Sequence, residues 1–176
     1  MGNPEAINND SIRRVSIDLG NGKSRQFQQI AYLDGSSKEE SKEHGSNTGL
    51  KVTAWQEIDK AGVPIKENGK QEIRLNFTGV TGQNDKATLF KFIDGGVPQG
   101  VEAAEFTHKV IQQVGKDNIS NLTFGSHSSG AGNTFVAYAV SDLENVSVRT
   151  TMMIEPVGAS MQLAEIQKFL KNEKSP

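Results

Sequence analysis

The chain contains no cysteine. That absence excludes disulfides, thiolate metal sites and thiol nucleophiles, and it fits a cytosolic protein as well as a bacterial secreted one. An excess of one charge is also missing: 19 Lys and Arg stand against 21 Asp and Glu, a net charge of −2. Phosphate backbones are bound by concentrated Lys and Arg, so no nucleic-acid partner is expected. No apolar run approaches the roughly 20 residues that span a bilayer, so no integral membrane segment is expected. The opening MGNPEAINNDSIRR lacks the apolar stretch of a signal peptide. A soluble protein is implied, cytoplasmic or secreted without a Sec-type signal. The acidic residues Asp59, Asp85, Asp94, Asp142 and Glu155 are scattered without the spacing of metal ligands, and no metal or cofactor is implied.

What is present is glycine, 18 residues in a chain of 176, which predicts many turns. The length suits one domain with a real core. Residues 1–12 read as a flexible arm and 13–176 as one domain. Val15, Ile17 and Leu19 alternate with polar residues as in a strand, whereas Phe27, Ile30, Ala31 and Tyr32 have the spacing of an amphipathic helix. Residues 34–48, DGSSKEESKEHGSNT, read as a mobile loop. Two alternating runs follow, at 50–55 and 72–77, joined by a connection that contains Asn68-Gly69. An apolar patch lies at 89–93. From residue 101 the pattern becomes helix (101–114), strand (120–125), helix (133–143), strand (146–154) and helix (161–170). Such alternation predicts parallel strands joined by right-handed crossovers. The expected fold is a three-layer α/β architecture, a mostly parallel sheet with helices on both faces and antiparallel strands at its N-terminal edge.

The chain is organised around NISNLTFGSHSSGAGNTFVAYAV, residues 118–140. It reads as a buried strand, a tight turn of small residues and a helix. A serine at the apex of such a turn is held clear of the backbone, where its hydroxyl can reach an acyl group. The five residues centred on Ser128 are Ser126-His127-Ser128-Ser129-Gly130, which keep the last glycine of G-x-S-x-G and replace the first by serine. A turn of small residues that only admits the bend and caps a helix remains the alternative.

The order of the segments resembles the lipase class 3 family of α/β-hydrolases, which includes bacterial lipases and phospholipases. Phe77-Thr78-Gly79-Val80 stands where the family has an aromatic-Arg-Gly-Thr/Ser stretch, and Asp85-Lys86 where it has an Asp-Trp pair. The helix 101–114 follows, His127-Ser128-Ser129-Gly130-Ala131 is similar to the Gly-His-Ser-Leu-Gly-Gly elbow, and Glu155-Pro156-Val157-Gly158 closes the comparison. The resemblance implies Ser128 as nucleophile of carboxylic-ester or phospholipid acyl hydrolysis and the amides of Val80 and Ser129 as oxyanion donors. It gives His127 a structural role. The aspartate and histidine that follow the nucleophile in the family have no counterpart in this chain.

A serine hydroxyl is a poor nucleophile until a base takes its proton, usually a histidine oriented by a carboxylate. The chain offers three histidines. His127 is adjacent to Ser128, and elbow geometry points neighbouring side chains apart. His44, in the polar loop, and His108, in the helix 101–114, are the other candidates, and the base is unassigned. Three readings stay open: a lipase-like serine hydrolase acting on a lipid or ester, the N-terminal part of a longer hydrolase, and a non-catalytic binding or regulatory module on the same scaffold.

Overall fold

A computed structural model describes residues 13–34, 49–78, 98–128 and 130–154. The elements run β1 (Arg14–Gly20), β2 (Lys23–Asp34), β3 (Lys51–Ile58), β4 (Gln71–Thr78), α1 (Pro98–Val114), a short 3-10 turn (Lys116–Asn118), β5 (Ile119–His127), α2 (Gly130–Leu143) and β6 (Val148–Ile154). The six strands form one sheet in chain order. β1 to β4 pair antiparallel, and β4, β5 and β6 pair parallel.

Local chemistry accounts for the antiparallel half. Asn21 and Gly22 both have positive φ (54° and 71°) and close the β1–β2 hairpin. That backbone is the type I′ turn whose twist matches paired strands. Asn68-Gly69 repeats it (52° and 79°) between the bridged residues Glu67 and Lys70. The parallel half needs longer crossovers, and α1 and α2 supply them.

The three-layer expectation fails on the direction of winding. A right-handed crossover places its helix on a face set by the direction in which it steps across the sheet. Both crossovers step the same way, β4 to β5 to β6, so both helices fall on one face and pack against each other. Helices on both faces require a reversal of strand order, and the described strands contain none. Nor is the sheet mostly parallel, since three of the five pairings among the described strands are antiparallel.

The helix expected around Phe27–Tyr32 is part of β2. A bulge between Gln29 and Ala31 shifts the register by one residue. Phe27 therefore lies on the face away from the helices, while Ala31 lies opposite Ala54 on the helix-covered face. The helix-like spacing thus joins two residues buried on opposite faces of one strand.

The core fills the space between sheet and helices. Val52, Ala54, Ile73, Leu75, Phe77, Leu122 and Phe124 are buried there with Ala103, Phe106, Val110, Ile111 and Ala137 of the helices. On the other face, Phe27 is only 3% exposed because the guanidinium groups of Arg25 and Arg74 lie 5.4 and 4.8 Å from its ring centre. Arg25 grips Glu57 with two N–H donors, the Nε bond at 2.7 Å. Arg74 and Arg149 pair with Glu72 at 3.0 and 3.3 Å. Among the described residues no helix is long and apolar enough to cross a membrane. The arm 1–12, most of the loop 34–48, the patch 89–93 and the helix expected at 161–170 lie outside the described residues, and Asp34 belongs to β2.

Two predictions follow from this packing. Phe124→Ala removes a fully buried ring and is expected to lower unfolding stability by about 3–5 kcal/mol, measured by denaturant titration. The Arg25 hydrogen bond, opposed by desolvation, holds the Glu57 carboxyl below the ordinary value of 4.5. A lowered folded-state value gives stability that is present above 4.5 and lost as pH falls through the folded value. Thermal melts across that acid range should show a shallower pH dependence for Glu57→Gln than for wild type.

Candidate functional site

β5 carries the chain to the edge of the sheet from which α2 begins. His127 ends the strand, Ser128 makes the corner and Gly130 opens the helix. Ser128 has φ +53°, a left-handed conformation that a residue with a β-carbon adopts only when its surroundings impose it. Two hydrogen bonds impose it here. The Ser128 N–H donates to the Ile154 carbonyl at the end of β6 (2.8 Å), and the Ser128 carbonyl accepts from the Ala131 N–H (3.1 Å).

Gly130 explains how tight the corner is. A β-carbon there would lie 2.5 Å from the carbonyl oxygen of Phe77. The first residue of α2 is thus pressed onto the end of β4, and only glycine fits. The corner joins β4, β5, β6 and α2 within a few residues. Neither α1 nor α2 has an acidic residue in its first turn, so the positive end of each helix dipole is not offset by a local carboxylate.

Behind the corner lies a polar cluster in the core that the sequence reading missed. Asn133 is fully buried and donates through Nδ2 to Oε1 of the buried Gln99 at 3.1 Å, joining the first turns of α2 and α1. Its own Oδ1, and the Oγ of buried Ser126, have no hydrogen-bond partner among the described residues. Ser126 sits on the helix-facing side of β5, opposite Phe77. An asparagine inside the apolar stretch of α2 was the available signal, but its partner is 34 residues away.

The other candidate residues are dispersed. His127 is exposed and shares the sheet face of Gly125 and Thr123, the one the helices leave uncovered. His108 Nδ1 lies 2.5 Å from Oε1 of Glu144, just beyond the C-terminus of α2. Fourteen residues of helix, about 20 Å at 1.5 Å per residue, separate that end from the Ser128 corner, so the structure does not bring His108 to Ser128. Asp59 accepts the N–H groups of Ala61 and Val63 in the turn after β3, at the edge of the sheet opposite Ser128. Asp142 is exposed near the far end of α2. His44, Val80, Asp85, Asp94, Ser129 and Glu155 lie outside the described residues. Among the described residues no group of three His, Asp or Glu side chains is placed to hold a metal ion.

Strain at the corner is measurable. Ser128→Gly is expected to raise unfolding stability by about 1 kcal/mol, because glycine adopts positive φ freely, whereas Ser128→Ala should bring no gain. Gly130→Ala should destabilise by about 1–3 kcal/mol through overpacking against Phe77. Denaturant midpoints of the three variants check both statements.

Compared with protein-family models, curated proteins and solved structures, the chain gives no match to any of them.

Proposed function

We propose that the protein is a lipase-like serine hydrolase that cleaves carboxylic esters, with Ser128 as its nucleophile. The observation that supports this reading is the left-handed backbone of Ser128 at the strand-to-helix corner, φ +53°. A turn that served folding alone would favour glycine or asparagine there. Retaining serine in a strained conformation is the arrangement that presents a hydroxyl at the end of a strand.

In the proposed reaction the Ser128 Oγ attacks the acyl carbonyl carbon and gives its proton to a base. The tetrahedral oxyanion is held by the amides of Ser129 and Val80 and by the positive end of α2. Its collapse expels the alcohol, which takes the proton back from the base, and leaves the acyl group on Ser128. Water then attacks the acyl group and releases the acid. The Ser128 N–H is already bonded to the Ile154 carbonyl, so it is not among the proposed donors. The base is the open assignment. His108 lies with Glu144 at the far end of α2 from Ser128, which makes His44 the histidine to test.

Labelling with a fluorophosphonate probe tests the proposal. Wild type is expected to label, Ser128→Ala to lose labelling entirely, and His44→Ala to slow it by at least about a hundredfold. A folded wild-type protein that does not label would sink the catalytic reading and favour a binding module. Labelling that survives in Ser128→Ala would move the nucleophile elsewhere.

A further inference from the structure

β1 is the outer strand on the antiparallel side of the sheet, and all seven of its residues are exposed. Exposed sheet edges invite pairing with another chain and are commonly blunted by Lys or Pro. The sequence of β1, RVSIDLG, contains neither. Val15 and Ile17, 43% and 47% exposed, stand opposite Phe27 and Arg25 on the face that the helices leave open.

The hydrogen-bond phase of β1 is known. The Gln29 N–H donates to the Arg13 carbonyl at 2.8 Å, and the register places Arg14 opposite Gln28. Odd-numbered residues of β1 therefore direct their backbone groups at β2, and Arg14, Ser16 and Asp18 direct theirs outward. Two copies related by a two-fold axis must pair even-numbered residues with even-numbered ones, about a centre at an even residue or at Val15 or Ile17 between them. A centre at Val15 or Ile17 sets Ser16 opposite Arg14 or Asp18 and forms no ion pair. A centre at Arg14 would oppose two arginines, and a centre at Asp18 two aspartates. A centre at Ser16 places Arg14 opposite Asp18 of the second copy twice over, and Val15 against Ile17 on the other face. Within the described residues the Arg14 guanidinium has no carboxylate partner and rests over Gly62.

We propose that two copies of this chain join through β1, antiparallel and centred on Ser16, so that the sheet continues across the dimer axis. Backbone bonds form at Ser16 with Ser16 and at Arg14 with Asp18. The charges select the register, and the Val15–Ile17 contacts extend the apolar strip beside Phe27. The interface is isologous and closes.

Sedimentation equilibrium on the full chain tests this, with charge reversal as the probe. Wild type is expected to be dimeric at high micromolar concentration. Arg14→Asp and Asp18→Arg each place like charges across the axis and should weaken association at least about tenfold. An equimolar mixture of the two variants restores both ion pairs and should dimerise again. Because the chain has no cysteine, Ser16→Cys adds a single thiol whose twin lies about 5.5 Å away between α-carbons, within disulfide reach. It should oxidise to a covalent dimer far faster than Leu19→Cys, whose twin is about 20 Å off along the strand. A wild-type monomer at that concentration overturns the proposal. So does a dimer indifferent to both reversals, equal cross-linking at positions 16 and 19, or growth into open polymers.

Discussion

The α-carbon of Gly130 faces the carbonyl oxygen of Phe77 so closely that a methyl group would sit 2.5 Å from it. That approach sets where α2 begins, and with it the corner between β5 and the helix. Ser128 must turn through a left-handed conformation to reach that starting point, and its two backbone groups are taken up by Ile154 and Ala131. The same approach holds α2 against the ends of the parallel strands, where its first turn meets that of α1 through Asn133 and Gln99. The close contact and the two hydrogen bonds together hold the serine in that conformation.

The winding also leaves one face of the sheet without a described helix. Because both crossovers step in one direction, the two described helices shield a single side of the sheet. The opposite side also carries Tyr32 and Trp55, and it shields its buried aromatic residue, Phe27, with charges. Phe27 lies beneath Arg25 and Arg74, whose guanidinium planes are weakly hydrated enough to cover an aromatic ring while bonding carboxylates. Glu57 and Glu72 complete that layer. The arrangement leaves the backbone edge of β1 and its small apolar strip outside the charged layer.

Part of the antiparallel half was legible in the sequence, in the alternation of β1 and the two runs that became β3 and β4. Asn21-Gly22 and Asn68-Gly69 are short-range signals, since both positions of the turn need positive φ. The helix 101–114 and the strand leading to Ser128 were also legible, because each buries one face and so shows its own period. β2 misled because its bulge moves burial from one face of the strand to the other, so Phe27 and Ala31 are both buried without sharing a side. Of the site, the turn and its serine were visible. The buried Gln99–Asn133 pair was not, since nothing local distinguishes a buried amide from an exposed one. Nor was the pairing of His108 with Glu144, which depends on how two helices lie side by side.

By itself the sequence determined the hairpin turns, the helix that crosses from β4 to β5, and the small residues that let a serine stand at the end of β5. Those features are set within a few residues, by φ preferences and by the period of burial. Tertiary structure alone decided on which face the helices lie, which histidine approaches which carboxylate, and why Gly130 cannot be anything larger. Each depends on a contact between segments far apart in the chain, such as Phe77 with Gly130. Such contacts follow from the direction in which successive strands are added, and residue order carries no local signal for that direction.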